Sequence, residues 1–234
     1  CQHELKFLMV KGKLKSNHVL IVSFSGFAPR GSKPAYNYIR TLQQFDTSKL
    51  FLLDDKGLLK TGSYYLGENG DFYLINMIHD FIRTKVKELG VRQLVMIGSS
   101  KGATSALMYG IQLEADYVII GSPQYYLGDY LSENEYHRSI LASVAGCDTI
   151  EARERMNTLL PSVIKDKGVK KPPEVYLHYS RNEESYRTHI LPLISDLRDN
   201  EFLVHEDIHE YFEHSDVARY FPSYLIKTLS LLLQ

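Results

Sequence analysis

Three features of the 234-residue sequence predict an α/β fold with a mostly parallel, doubly wound sheet. Apolar, β-branched runs without alternation, such as residues 19–22, are typical of strands covered on both faces. These runs alternate with stretches of helical periodicity, which implies right-handed crossovers between parallel strands. The motif Gly98-x-Ser100-x-Gly102 joins a strand to a helix in the way a nucleophile elbow does. Together these features predict the α/β-hydrolase fold, as one domain over residues 1–234.

The strands are predicted from short apolar runs bounded by glycine, proline or acidic residues. In chain order they lie at residues 7–10, 19–24, 50–53, 94–97, 117–120, 175–179 and 202–204. The first two are separated by a segment rich in Lys, Gly, Ser and Asn, so we expect a hairpin between them. Each of the other strands follows a helical segment and is expected to be parallel to its neighbours.

The helices are predicted from apolar residues that recur three and four positions apart. Outside the segment discussed next, they lie at residues 36–45, 72–89, 101–113, 186–198 and 217–233. The second of them is expected to end at Gly90, since glycine commonly follows the last turn of a helix. The last one is amphipathic and is expected to close the fold.

The alternation of strands and helices breaks after Gly121. Residues from about 125 to 171 contain charged helical segments, at 139–144 and 149–164, and no clear strand. So few residues cannot build a second core of useful size. We therefore interpret the stretch as a small helical lid inserted beside the site.

The composition argues against several classes of function. A formal net charge of −1 gives no basic surface for nucleic acid. The two cysteines, Cys1 and Cys147, are too few for a metal cluster and do not suggest a disulfide scaffold, so no metal is expected. No apolar run approaches the ~20 residues that span a bilayer, so we expect no transmembrane segment and a cytoplasmic location.

A serine hydroxyl is a weak nucleophile unless a histidine, held by a carboxylate, takes its proton, so Ser100 needs two partners. In this fold the acid comes next in the chain and the histidine last. The acid is expected just after the strand at residues 175–179, where Glu183 and Glu184 lie. The usual G-x-x-D spacing, with Ser180 in place of the glycine, selects Glu183. A turn one residue longer selects Glu184, and spacing leaves both open.

The histidine is expected between the last strand and the last helix, where three candidates lie. His205 is in or at the end of a strand, and His209 lies among acidic residues. His214 directly precedes the final helix, which is the expected position. We therefore predict His214 as the base.

The oxyanion hole of this fold combines the N–H of the residue after the nucleophile with an N–H from the loop after an early strand. These positions select Lys101 and Phe27. The Lys101 ammonium is expected either to be solvated or to attract an anionic substrate or a cofactor phosphate. Arg30 and Lys33, near the pocket mouth, are further candidates to attract an anionic acceptor. Residues 124–126 are expected to line the mouth of the pocket.

Three motifs resemble a known family: GSSKG at 98–102, GSPQ at 121–124 and HSD at 214–216. They are similar to those of α/β-hydrolase-fold capsular polysaccharide O-acetyltransferases, which include the XcbB/CpsF-type proteins and the meningococcal serogroup A type. The accessory-secretion acetyltransferases that modify adhesin glycans are similar too. The resemblance covers residues from about 19 to 233.

The resemblance implies transfer of an acetyl group from acetyl-CoA to a hydroxyl of a polysaccharide or oligosaccharide acceptor, through an acetyl-serine. It places Ser100 as nucleophile and His214 as base. The acid falls on the Glu183–Glu184 pair. The resemblance implies an aspartate at this place in the serogroup A type, and the family's spacing between the acid and the histidine favours Glu184. Association with capsule assembly proteins is a further implication.

Two other functions fit the same residues. The first is a serine esterase or deacetylase, in which water replaces the sugar acceptor. The second is a non-catalytic hydrolase-like module that binds a glycan or a partner protein. Fold alone distinguishes none of the three.

Overall fold

Strands and helices alternate along the chain, and the helices pack in layers on a central sheet. The structure is a computed structural model that describes residues 4–13, 18–28 and 31–233. The strands are β1 (Lys6–Val10), β2 (Val19–Phe24), β3 (Ser48–Leu53), β4 (Gln93–Ser99), β5 (Tyr117–Gly121), β6 (Glu174–Ser180) and β7 (Val204–His209). The helices are α1 (Leu74–Leu89), α2 (Lys101–Gln112), α3 (Leu127–Tyr130), α4 (Glu135–Ala145), α5 (Ile150–Ile164), α6 (Leu191–Asp199) and α7 (Val217–Leu232).

The seven strands form a sheet in the order β1-β3-β2-β4-β5-β6-β7. Neighbours from β3 to β7 are parallel, and β1 runs antiparallel beside β3. The predicted hairpin between the first two strands is therefore wrong, because β3 and β4 occupy both edges of β2. The strands β2 and β4 are buried on both faces, which explains their unbroken apolar sequence.

The predicted helix at residues 36–45 is also wrong, because this segment forms a series of turns. Tyr38 has a φ of 65°, which a right-handed helix does not allow. Its hydroxyl donates to Ser99 Oγ at 2.5 Å, and Asn37 Oδ1 accepts from the Gly26 N–H at 3.0 Å. These bonds to distant residues fix the segment in a conformation that local periodicity does not indicate.

Helices cover both faces of the sheet, as the doubly wound prediction requires. On one face α1 buries Ile78 and Ile82 in the same apolar core as α2. On the other face α7 buries Phe221, Leu225 and Leu229, which recur at helical spacing. The helix α1 ends at Gly90 in the left-handed conformation, where it was expected to end.

Helices α3, α4 and α5 lie between β5 and β6, inside the stretch predicted to form a lid. The helix α5 packs against α2, and its Met156 and Leu160 belong to the main apolar core. Tyr130 and His137 of the same stretch line a cavity beside the candidate site. A lid-like role for these helices stays a prediction.

The C-terminal part of the sheet positions the last candidate residues. The strand β7 begins at Val204, not at residue 202 as predicted, and it contains both His205 and His209. A short 3-10 turn, His214–Asp216, leads directly into α7. None of the described helices has the length and apolar character needed to cross a membrane.

Candidate active site

Ser100 lies in a sharp turn between β4 and α2. Its backbone has φ 52° and ψ −126°, a combination that is unfavourable for residues other than glycine. A Cβ on Gly98 would lie 2.2 Å from Gly102 O, and a Cβ on Gly102 would lie 2.4 Å from Phe24 O. Both glycines of the motif are therefore required by close backbone approach, and the turn has the form of a nucleophile elbow.

A chain of hydrogen bonds connects Ser100 to a histidine and a carboxylate. Ser100 Oγ lies 2.7 Å from His214 Nε2. His214 Nδ1 is hydrogen-bonded in turn to Glu183 Oε1. The three residues come from the ends of β4 and β6 and from the turn before α7, at one edge of the sheet. This arrangement allows the imidazole to take a proton from the serine while the carboxylate orients the ring.

Glu183 is held by two serine hydroxyls in addition to His214. Ser122 Oγ donates to Glu183 Oε2 at 2.9 Å, and Ser185 Oγ donates to Oε1 at 2.6 Å. Burial alone would raise the pKa of the Glu183 carboxyl, but the bonds from His214, Ser185 and Ser122 outweigh it and lower that pKa below its usual range. Sequence reasoning missed both serines as functional, although Ser122 lies in the GSPQ motif.

The structure separates the other candidate residues from this chain of bonds. Glu184 is exposed at the rim of the neighbouring cavity, and His214 pairs with Glu183 instead. His205 stacks on Tyr176 in β6, with ring centroids 4.4 Å apart. His209 Nε2 lies 3.3 Å from Asp207 Oδ2 on β7. The turn after β6 therefore places Glu183, and not Glu184, against His214, a choice that the residue spacing leaves open.

The two predicted oxyanion donors lie on segments that pack together. The loop with Phe27 follows β2 and touches the elbow, since a Cβ on Gly26 would lie 3.8 Å from Ser99 O. Lys101 is the first residue of α2, where backbone N–H groups lack a helical acceptor. Within the described part of the chain, neither of these two N–H groups has a hydrogen-bond partner. Their role as oxyanion donors stays a prediction.

The side chain of Lys101 is buried, so the expectation that it meets solvent or an anionic substrate is wrong. Its Nζ donates to Asp54 Oδ2 at 2.7 Å, and neither side chain is exposed. The Nζ also lies 4.6 Å from the centre of the Tyr65 ring. Burial lowers the pKa of the ammonium, and the Asp54 charge opposes that shift. Lys33 is exposed, and Arg30 lies outside the described residues.

Of the three residues expected at the pocket mouth, only Gln124 takes that position. Its Nε2 donates to Ser100 Oγ at 3.2 Å, and its Oε1 accepts from the Tyr64 hydroxyl at 3.3 Å. Tyr125 is buried in the apolar core, and its hydroxyl bonds to Asp196. The neighbouring Tyr126 does not line the cavity described next.

A cavity of about 340 Å³ adjoins His214. Its lining includes Gln124, Tyr130, Glu183, Phe212 and His214. It gives a small molecule access to the histidine.

Comparison with known proteins supports the fold. No family model and no curated protein matches the sequence. A solved structure of the capsule O-acetyltransferase of Neisseria meningitidis serogroup A superposes with a TM-score of 0.77 at 23% identity, covering 96% of this chain and 90% of that one. A histidine-to-alanine mutant of the same enzyme has been solved in complex with CoA. The sequence-level resemblance to this protein is confirmed at the level of structure.

Two further structures widen the comparison. The glycosylation-associated Gap123 complex of Streptococcus agalactiae matches with a TM-score of 0.75 and 21% identity over 96% of this chain and 44% of that one. A fluorophosphonate-binding serine hydrolase of Staphylococcus aureus matches with a TM-score of 0.67 and 9% identity, over 97% and 92% of the two chains. This chain has the α/β-hydrolase fold. At such identities the likeness concerns the fold, and function depends on the site.

Proposed function

We propose that this protein is an O-acetyltransferase that transfers the acetyl group of acetyl-CoA to a glycan hydroxyl through an acetyl-Ser100 intermediate. The observation that carries the proposal is the continuous hydrogen-bonded chain from Ser100 through His214 to Glu183 at a strained elbow. Such a chain is the arrangement that activates a serine for acyl transfer. Glu183, and not Glu184, is the acid in this proposal.

In the first half-reaction Ser100 Oγ attacks the carbonyl carbon of the thioester, and His214 Nε2 takes the hydroxyl proton. The carbonyl oxygen becomes an oxyanion, which accepts hydrogen bonds from the N–H groups of Phe27 and Lys101. Removal of one such donor typically costs about 2.7–4 kcal/mol of transition-state stabilisation. The C–S bond then breaks, His214 gives its proton to the sulfur, and CoA leaves as the thiol.

In the second half-reaction a sugar hydroxyl takes the place of CoA. His214 Nε2 removes its proton as the hydroxyl oxygen attacks the acetyl carbonyl, and the bond to Ser100 Oγ breaks. His214 returns the proton to Ser100, and the acetylated sugar leaves. Gln124 Nε2, 3.2 Å from Ser100 Oγ, is placed to hold the serine oxygen in both steps.

The choice of donor and acceptor is supported by the comparisons. The similar serogroup A protein is described as a capsule O-acetyltransferase and was solved with CoA. The similar streptococcal protein belongs to a glycosylation-associated complex. We therefore include acetyl-CoA as donor, a capsular polysaccharide or related glycan as acceptor, and association with glycan assembly proteins in the proposal.

A second candidate, hydrolysis of an acyl ester, is favoured by one observation. The His214 side chain is 35% exposed and adjoins an open cavity, so water can reach an acyl group on Ser100. The similarity to a serine hydrolase is in line with this second function, hydrolysis. The two functions differ only in whether a sugar hydroxyl or water removes the acetyl group.

Mass spectrometry of the intact protein after incubation with acetyl-CoA tests the proposal. We expect one acetyl group on the wild type and none on the Ser100→Ala variant. Equal labelling of both, or no labelling of either, contradicts it. If acetyl-Ser100 forms but yields only free acetate when oligosaccharides are present, the protein is the hydrolase.

A further inference from the structure

The cavity beside His214 is acidic. In addition to Glu183, its lining contains three carboxylates, Glu133, Glu184 and Glu213, and, among the residues that the structure describes, no lysine or arginine. A cavity with one sign of charge attracts ligands of the opposite sign and repels those of the same sign, whereas an uncharged ligand is not repelled.

These three carboxylates lack basic partners. Among the residues that the structure describes, none of them forms an ion pair with a lysine or an arginine, and Glu133 has only His137 Nδ1 at 3.6 Å. Burial and the Glu184 charge raise the pKa of the Glu133 carboxyl, and His214 opposes that shift. Glu133 and Glu184 are therefore close enough to interact with each other, and neither is paired with a lysine or an arginine of the described residues.

The remaining lining suits a sugar ring. Phe212 is 73% exposed, and Tyr130 lines the same cavity, so two aromatic rings are available to pack against the C–H face of a sugar. The hydroxyls of Ser185 and Thr188 also line it. Carboxylates accept hydrogen bonds from hydroxyl groups and, when ionised, do so strongly.

We propose that this cavity takes an uncharged sugar as the acetyl acceptor and discriminates against phosphorylated or carboxylated sugars. The inference rests on the proposed transferase function and names its acceptor class. It departs from the expectation of an anionic acceptor, because the Lys101 ammonium is bound to Asp54 and Lys33 does not line the cavity, while Arg30 lies outside the described residues.

The test begins with acetyl-Ser100, prepared from acetyl-CoA and freed of excess donor. Its discharge is then timed with pairs of probes that carry either a neutral or a charged substituent at the anomeric position: methyl α-glucoside against α-glucose 1-phosphate, and the same pairs made from galactose and N-acetylglucosamine. The other hydroxyls are free in both members. We expect the uncharged members to discharge the acetyl group faster, by roughly tenfold for charges at this range.

Isosteric variants assign the discrimination to the cavity. The triple variant Glu133→Gln, Glu184→Gln, Glu213→Gln keeps side-chain size and removes the charge. We expect it to use the phosphates faster and to reduce the preference several-fold at low salt. Glu154→Gln removes an exposed charge from α5 outside the cavity and is the matched control, with the wild-type preference expected.

The outcomes separate the two proposals. Absence of acetyl-Ser100 overturns the transferase function and, with it, this inference. If acetyl-Ser100 forms, a preference for the phosphates or an unchanged preference in the triple variant overturns the acceptor class alone. If no sugar of either series discharges acetyl-Ser100 faster than buffer does, the cavity does not admit a sugar. This result also overturns the inference.

Discussion

Lys101 Nζ and Asp54 Oδ2 lie 2.7 Å apart with both side chains fully buried, directly beside the proposed nucleophile. The Asp54 carboxylate also accepts from the backbone N–H groups of Ser63, at 2.7 Å, and Tyr65, at 3.0 Å. The pair therefore joins the end of β3, the loop after it and the start of α2. Since that loop and helix flank the elbow, the pair is placed to fix their relative position.

Loss of one partner of this pair is expected to destabilise the protein strongly. Asp54→Asn leaves a buried ammonium without a counter-charge, which costs about 3–5 kcal/mol of unfolding free energy in comparable sites. Urea denaturation of Asp54→Asn, Lys101→Met and the double variant measures the coupling. We expect the double variant to be more stable than the sum of the two losses predicts, and simple additivity would count against a specific pair.

The two adjacent glutamates are expected to differ sharply in their effect on the rate of serine acylation. Glu183→Gln removes the charge that holds and stabilises the His214 imidazolium, so its acylation rate should fall by roughly 10³–10⁴. Glu184→Gln changes an exposed side chain that does not bond to His214 and should lower the rate less than about threefold. The rate at which a fluorophosphonate probe labels Ser100 reports the reactivity of the serine in each of the two variants. Equal rates would contradict the assignment of Glu183, and a larger loss for Glu184→Gln would reverse it.

Much of the fold and part of the site are readable from sequence because they depend on local patterns. The buried strands and the elbow require residue types that stand next to one another in the chain. Residue spacing does not distinguish Glu183 from Glu184 as the acid, because the turn after β6 is shaped by contacts with distant residues. One such contact is the hydrogen bond from Ser180 Oγ to the Tyr211 carbonyl at 2.5 Å. The burial of Lys101 was missed because its partner, Asp54, is 47 positions away along the chain.

His189 is expected to make the stability of the protein fall as the pH decreases below 6.5. The side chain is buried, and its Nδ1 accepts from the Tyr126 N–H at 3.2 Å, so the ring must be neutral. Burial lowers the pKa of His189 from 6.5 to about 4. The unfolded chain takes up a proton at a pH where the folded protein does not. The contribution of His189 is therefore complete above pH 6.5 and is lost as the pH falls toward 4.

The size of this effect follows from the same shift. Each pH unit within the window corresponds to about 1.4 kcal/mol, so the loss approaches about 3 kcal/mol at pH 4. His189→Asn keeps an acceptor for the Tyr126 N–H but cannot titrate. Unfolding free energies measured by urea from pH 7 to 4 should fall less steeply for this variant than for the wild type. Parallel curves for the two proteins would show that folding does not lower the pKa of His189, contrary to the expectation.

The strained backbone of Ser100 is expected to lower the stability of the folded protein. A non-glycine residue at φ 52° and ψ −126° is disfavoured by about 1–3 kcal/mol. Ser100→Gly removes that strain, but the greater freedom of glycine stabilises the unfolded chain by about 1 kcal/mol. We therefore expect the glycine variant to be about 1 kcal/mol more stable than a Ser100→Ala variant. Ser100→Ala is the matched control, because it also loses the hydroxyl and its bond to His214 but keeps a Cβ. Thermal and urea unfolding should rank the glycine variant above the alanine variant, with neither forming an acetyl-enzyme. A glycine variant no more stable than the alanine variant would mean that the elbow stores no strain at this residue.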